Sequence, residues 1–282
     1  MMFQPKIALA FAFAAGMLAG GCGTKHATVN PRIASFYQDF YDAGPSDPAA
    51  ARRAVDQAIA ADPDNAYGYY LRASLEASAS RFEEALRWVR EGNSKPKTVI
   101  YVSAPPPEDP MRSVARIRQL GFTAERAVDL GDRQPEYAAA LRTMGARVAK
   151  AEPVASLSVL NGAGVVRAAY RAEIAFWEDR KDAARAKRLS EGLSRFVLWY
   201  DEMQGALAAT LRNLIRDAGV KAGMTEEEIA LYAAGKDIGN RSKQAKANQA
   251  KEAMYEEEVA TLRRLLESMP DVDGEARTEV EK

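Results

Sequence analysis

Apolar residues recur at every third or fourth position along most of the chain, which is the spacing of an amphipathic α-helix. The same spacing predicts helices over 33–41, 49–61, 111–120, 123–130, 135–150, 154–177, 229–234 and 241–269. The longest stripe predicts one long helix with a broad apolar face. Its residues are Leu189, Leu193, Phe196, Val197, Tyr200, Met203, Leu207, Leu211, Leu214 and Ile215. We therefore expect an all-α fold of stacked helical hairpins, with a larger helical part towards the C-terminus.

One stretch interrupts this pattern. Residues 98–102 are largely β-branched and predict either a short strand or an extended segment lying on the helices. Three consecutive prolines follow at 105–107 and favour a stiff polyproline piece. We therefore expect a connector at 96–110 that separates helical hairpins at 31–95 from a helical domain at 111–270. The acidic residues 271–282 are expected to be a disordered tail.

Four local features refine these helices. Gly162 and Gly164 follow no predicted strand, so close helix packing explains them better than a phosphate loop does. Thr225 with Glu228 three residues later predicts a capping box. The helix over 111–120 is basic on one face. The first half of the last helix has only alanine as its apolar face, so that it either stays solvated or docks a partner.

The first 22 residues have the organisation of a secretory signal. Residues 7–21 are uncharged and mainly apolar, which is too short for a comfortable membrane span but fits a signal-peptide core. The run ends in Leu18-Ala19-Gly20-Gly21-Cys22, which resembles the lipobox of bacterial lipoproteins. Ala19 stands where that family usually has leucine. The other interpretation is an ordinary secretory signal with a chance cysteine.

The lipoprotein resemblance implies removal of residues 1–21 and fatty acylation of Cys22, for example with palmitate. Residues 22–30 would then tether the protein to the lipid bilayer. Gly23 after the cysteine implies sorting to the outer membrane, facing the periplasm. Acylation would also protect a lone thiol from an oxidising compartment.

Composition removes several classes of function. Lys plus Arg number 39, as do Asp plus Glu, and this balance does not favour nucleic acid binding. The single histidine, His26, falls in the tether, so the body has no residues for a Ser-His-Asp triad or a multi-histidine zinc site. We predict no catalytic residues, no metal ligands and no cofactor.

Residues 58–66, with the sequence Ala-Ile-Ala-Ala-Asp-Pro-Asp-Asn-Ala, resemble the junction between tetratricopeptide repeats. Residues 69–75 look like the first helix of the next repeat, and 82–86 look like the start of its second helix. The resemblance covers 33–92 and implies helical hairpins there. Gly92 departs from it by replacing a customary alanine. A fainter echo at 171–184 is either a degenerate second copy or a chance similarity.

In tetratricopeptide arrays the first helices line a groove, so this resemblance makes the nearby aromatic residues candidates for partner binding. They are Tyr67, Tyr69, Tyr70, Phe36 and Phe40. The competing interpretation places these side chains in the core. The first functional hypothesis is a membrane-anchored, non-enzymatic scaffold that binds an envelope protein. The second is a small-molecule-binding accessory of a periplasmic transport system, which needs a deep apolar pocket lined by these aromatics. A cell-wall hydrolase is the third and needs one buried glutamate.

Overall fold

The computed structural model describes residues 30–44, 46–101, 110–152 and 154–272. The predicted all-α fold is confirmed. The described residues form eleven α-helices: α1 (Pro31–Ala43), α2 (Pro48–Ala61), α3 (Ala66–Ser78), α4 (Phe82–Asn93), α5 (Pro110–Phe122), α6 (Gln134–Ala149), α7 (Ser156–Asp179), α8 (Ala183–Lys221), α9 (Glu226–Ala233), α10 (Arg241–Ala253) and α11 (Tyr255–Glu267). A short 3-10 helix (Val128–Arg133) precedes α6. The predictions for Cys22, the signal peptide and most of the tether lie outside the described residues.

Polar side chains fix where several helices begin. The Asn30 side chain accepts a hydrogen bond from the Ile33 amide, and the Asp47 side chain accepts one from the Ala50 amide. Each cap satisfies an amide that has no partner within its helix. Thr225 and Glu228 form the predicted capping box at the start of α9.

The described residues divide into two compact units. One comprises 30–199 with 269–272, and the other comprises 200–268. In the first unit a single apolar core includes residues of α1 to α7, among them Phe40, Leu71 and Leu141. The predicted parts 31–95 and 111–270 are therefore not separate domains. The apolar faces on both sides of the connector are buried against each other, and the division between units falls within α8.

Glycines allow α6 and α7 to approach closely. A Cβ atom on Gly145 would lie 2.7 Å from the carbonyl oxygen of Gly162, and one on Gly162 would meet Gly145 and Ala149 even more closely. This confirms the packing interpretation for Gly162. A Cβ on Gly164 would meet only the Arg118 side chain, at ordinary contact distance, so close packing does not require glycine there.

Glycine at position 92 on α4 also allows close packing. A Cβ at this position would lie 2.5 Å from a carbon of the Tyr70 ring, which packs across α4 from α3. The departure from the tetratricopeptide pattern at Gly92 therefore makes room for a large side chain at Tyr70.

The β-branched stretch is an extended segment that lies on the helices. It makes isolated bridges from Lys97 to Asn65 and from Val99 to Glu152. The Ile100 amide donates to the Glu152 carbonyl over 2.7 Å. Residues 97–101 are thus held between the α2–α3 loop and the loop after α6, and they do not form a regular strand.

Two predicted helices differ in the structure. Residues 123–126 form turns, and the 3-10 helix from Val128 contains Gly131 at φ +53°, so no α-helix spans 123–130. The predicted helix over 241–269 is broken at Met254, where a turn separates α10 from α11. Neither glycine nor proline marks that break, so the sequence carries no signal for it.

The echo at 171–184 differs from the first hairpin in register. Each helix pair is joined through one residue at positive φ, Ser80 in the first and Lys181 in the second. Arg81 follows its turn residue, whereas Arg180 precedes its own. The echoed arginines therefore do not hold equivalent positions.

The unit of residues 200–268 has a small core of its own. Its buried members are Ala222, Met224, Ile229, Ile238 and Ala247. Polar contacts support it: the Lys243 ammonium pairs with the Glu228 carboxylate at 2.8 Å, and the Tyr232 hydroxyl donates to Asn248 over 2.7 Å. Ala247 is fully buried, so the alanine face of α10 contributes to this core.

Candidate functional site

The aromatic residues predicted to bind a partner lie in or against the core. Tyr70 and Phe40 are fully buried, Tyr67 and Tyr69 are 3% and 6% exposed, and Phe36 is half-buried. The Tyr41 and Tyr67 hydroxyl oxygens are 2.9 Å apart. Burial raises the pKa of Tyr67 to about 12, although its hydrogen bond with Tyr41 opposes that shift. The rings of Tyr67, Phe40 and Tyr69 pack against those of Tyr37, Tyr41 and Trp88, respectively. The predicted aromatics therefore do not line an open groove or a deep pocket.

Sequence reasoning missed the role of Asn65, which ties the extended segment to the hairpins. Its side-chain oxygen accepts hydrogen bonds from the amides of Tyr67 at 3.2 Å and Val99 at 2.9 Å. Its side-chain nitrogen donates to the Val99 carbonyl over 2.8 Å. One asparagine therefore caps α3 and also pairs with the backbone of Val99 as a neighbouring strand would.

A buried carboxylate on α3 forms ion pairs with three arginines. The Glu76 side chain is 3% exposed and pairs with Arg52 at 3.0 Å, Arg72 at 3.0 Å and Arg81 at 2.6 Å. Burial alone would raise the pKa of Glu76, but the hydrogen bond from Arg81 and the three positive charges outweigh it and hold that pKa below its ordinary value. Arg72 also pairs with Asp56. Each charge in this cluster has an opposite partner, which makes the cluster a structural element.

A cleft of about 190 Å³ lies between α3 and α5. Its described lining residues are Ser74, Ser78, Arg116, Gln119, Leu120, Phe122, Thr123 and Arg126. Leu120, Ser74 and Thr123 are buried and form the deep part of the lining, whereas Phe122 is 49% exposed. The cleft therefore combines an apolar wall with two positive charges. We refer to it as the α3–α5 cleft.

The electrostatics of the α3–α5 cleft differ from those of the Glu76 cluster. The described lining residues include no carboxylate, and within the described part of the chain neither Arg116 nor Arg126 forms an ion pair. The Arg116 guanidinium lies 5.7 Å from the centre of the Phe40 ring. Burial lowers the pKa of Arg116 because it removes water from a charge that has no such partner there. An anion entering the cleft would supply the missing opposite charge.

Two larger clefts are lined by arginines that already have partners. In a cleft of about 460 Å³, the Arg147 guanidinium donates to the Asn93 and Lys95 carbonyls at the end of α4, at 3.1 and 2.5 Å. A shallow groove of about 530 Å³ along α4 is lined by Arg90 and Arg133, and both pair with Glu136. Carboxylates neutralise Arg90 and Arg133, whereas Arg147 is held by carbonyl oxygens and its cleft is also lined by Asp271. Both larger clefts therefore have carboxylates in their lining, unlike the described lining of the α3–α5 cleft.

The sequence carried one signal of the α3–α5 cleft, namely the basic face of the helix over 111–120. No feature of the sequence indicated the second wall of the cleft, because Ser74 and Ser78 belong to a helix about 40 positions earlier. Among the described residues, no group of three or more His, Cys, Asp or Glu side chains is placed to hold a metal ion.

No protein-family model, curated protein or solved structure matches this chain.

Proposed function

We propose that this chain is a lipid-anchored lipoprotein of the cell envelope that acts as a non-enzymatic interaction module, with the α3–α5 cleft as its binding site. The observation that carries the proposal is the pair of arginines, Arg116 and Arg126, at a cleft without a carboxylate among its described lining residues. A partly buried charge without a partner costs free energy, and a binding partner with the opposite charge offsets that cost.

The size of the cleft favours a protein partner over a metabolite. Pockets that enclose small-molecule ligands usually measure roughly 300–1,000 Å³, and the α3–α5 cleft is about 190 Å³. The two larger clefts reach that range, but the arginines Arg147, Arg90 and Arg133 that line them are already bonded. The predicted aromatics lie in or against the core, so within the described part of the chain they do not line the deep apolar pocket that the transport-accessory alternative requires.

The lining favours binding over catalysis. Its described side chains are hydroxyls, an amide, two guanidiniums and apolar groups, which include neither a carboxylate nor an imidazole to act as a general base. Glu76 is the buried glutamate nearest in sequence to this lining, and its two oxygens are occupied by arginines.

The membrane anchor is part of the proposal and rests on the lipobox-like sequence ending at Cys22. A chain of nine residues from 22 to 30 spans at most about 30 Å, so acylation of Cys22 would hold the helical units close to the bilayer. Among the described helices, none is both long enough and apolar enough to span the bilayer. We expect Cys22→Ser to move the protein from the membrane fraction to the soluble fraction, and an unchanged distribution would contradict the anchor.

Site-specific photocrosslinking in cells tests the binding site. A photoreactive phenylalanine analogue replaces Gln119 in the cleft lining, and the same analogue at exposed Arg53 on α2 serves as the control. We expect one dominant protein adduct from position 119 that position 53 does not give. Identical adducts from both positions, or no protein adduct from position 119, would contradict a binding role for the cleft.

A further inference from the structure

The lining of the α3–α5 cleft determines which of its groups can donate hydrogen bonds to a ligand. The Ser74 hydroxyl donates to the Leu71 carbonyl over 2.7 Å, and the Ser78 hydroxyl donates to the Ser74 carbonyl over 2.7 Å. Thr123 likewise bonds the Leu120 carbonyl at 2.6 Å. The charged donors that remain are the guanidiniums of Arg116 and Arg126, whereas the Gln119 side chain is exposed and the proposed contacts do not require it. This set matches a carboxylate, which accepts hydrogen bonds from arginine in a paired geometry.

The backbone around the cleft offers no free amide to the main chain of a ligand. Ser74 and Ser78 lie in α3, and Arg116 to Phe122 lie in α5, where amides are used by the helix itself. Beyond α5, the Thr123 amide donates to the Leu120 carbonyl over 3.1 Å, and the Arg126 amide donates to the Thr123 carbonyl over 3.0 Å. A peptide main chain entering the cleft would therefore find no backbone amide for its carbonyl oxygens, and a buried polar group without a partner is costly.

A single side chain satisfies these constraints. The volume of about 190 Å³ admits one residue's side chain, and the buried Leu120 with the half-exposed Phe122 offers an apolar wall for its stem. The two guanidiniums need a negative charge on the same side chain. Glutamate has both parts: an aliphatic stem and a terminal carboxylate.

We propose that the α3–α5 cleft binds a glutamate side chain from an internal position of a partner protein, with its carboxylate between Arg116 and Arg126 and its stem against Leu120 and Phe122. This inference rests on the proposed function of the cleft as a binding site and names the chemistry that the site recognises.

Three small probes distinguish the sources of a carboxylate in ligand-observed NMR on the full chain in detergent micelles. N-acetyl-glutamate N-methylamide has a blocked main chain and a free side-chain carboxylate. The corresponding glutamine compound is its neutral counterpart, and N-acetyl-leucine offers a terminal carboxylate. We expect the glutamate probe to bind in the millimolar range and the glutamine probe to bind at least about tenfold more weakly. We expect N-acetyl-leucine to bind more weakly than the glutamate probe.

Variants assign the binding to the cleft. Arg116→Gln is expected to remove the preference for the glutamate probe over the glutamine probe, whereas Arg53→Gln, at an exposed position on α2, is expected to keep it. Arg126 is exposed in a turn, so Arg126→Gln supplies a second cleft variant that does not depend on the packing of α5. We expect it to weaken the glutamate probe at least about threefold, in line with the smaller effect of an exposed charge.

Several results would overturn the inference. They are no binding of the glutamate probe at about 10 mM, equal binding of the glutamine probe, tighter binding of N-acetyl-leucine, or a preference that survives Arg116→Gln. Photocrosslinking at position 119 distinguishes a failure of the glutamate inference from a failure of the proposed binding function. A specific adduct there, combined with any of these NMR results, would leave the binding function standing and reject glutamate as the recognised group.

Discussion

Two groups of arginines lie in the same compact unit and differ in what neutralises them. At Glu76, three arginines converge on one carboxylate that is 3% exposed. In the α3–α5 cleft, Arg116 and Arg126 lie beside hydroxyls and apolar side chains, with no carboxylate among the described lining residues. Both groups involve α3, because Glu76 lies between Ser74 and Ser78 on that helix.

The difference separates a structural site from a binding site. A buried charge is stable only when an opposite charge and hydrogen bonds compensate for lost hydration. The Glu76 cluster meets that condition from within the chain, and Arg72 is held further by its pair with Asp56 and its contact with the Trp88 ring at 5.2 Å. The cleft meets the condition only when an external anion is present. Removing a charge should therefore destabilise the protein at the Glu76 cluster and change its stability little at the cleft.

The largest expected effect is on stability at Glu76. Glu76→Gln removes the negative charge that compensates for three arginines, and the loss in free energy of unfolding should be about 3–5 kcal/mol. Urea unfolding followed by circular dichroism measures it. The control is Glu84→Gln, which removes an exposed carboxylate on α4 and should change stability by less than about 0.5 kcal/mol. A loss below about 1 kcal/mol for Glu76→Gln would show that the cluster is not structural.

A smaller effect should appear in the pH dependence of stability. Because the folded-state pKa of Glu76 lies below its ordinary value, the ionised carboxylate contributes stability above the unfolded-state pKa of about 4.3. That contribution is lost as pH falls through the folded-state pKa. Melting temperatures measured between about pH 6 and pH 3 should therefore decrease less steeply in Glu76→Gln than in the wild type. Parallel curves would contradict the pKa direction.

The smallest expected effect is on stability at Arg116. Arg116→Gln removes a partly buried charge that has no ion pair within the described part of the chain, so the free energy of unfolding should change by less than about 1 kcal/mol. The loss of the contact with the Phe40 ring and the relief of an unpaired charge act in opposite directions. Urea unfolding in parallel with Glu76→Gln gives the comparison. A loss of more than about 2 kcal/mol would show that Arg116 is structural as well.

The sequence predicted the helices well. Each helix buries one apolar face, and the spacing of apolar residues within its own segment is enough to indicate that face. The packing at Gly162 and the extended segment at 97–101 also followed from local residue types. The burial of Tyr67 and Tyr70 did not follow from the sequence, because the resemblance to tetratricopeptide repeats was compatible with a position in the groove and with one in the core. The domain division at 96–110 was wrong because prolines mark a change in local structure and do not show whether the flanking helices share a core.

The candidate site could be predicted only in part, for a related reason. The basic face of α5 was visible in the sequence, but its significance depends on which charges remain unpaired after folding. Glu76 lies about 40 positions before Arg116. The i, i+4 spacing on α3 indicates the pair of Glu76 with Arg72, but the pairs with Arg52 and Arg81 form between different elements and have no such signal. Pairing of charges between elements is a tertiary property.

The measurement that tests the central claim most directly is the yield of the position 119 crosslink in cells carrying Arg116→Gln, compared with cells carrying Arg116, at matched protein levels. A charge pair that is partly desolvated in a complex typically contributes enough to affinity that losing one partner weakens binding at least about tenfold. We expect the adduct to decrease by about that factor while the amount of folded, membrane-bound protein stays the same. An unchanged adduct would contradict the claim that the unpaired arginine of the α3–α5 cleft binds the partner.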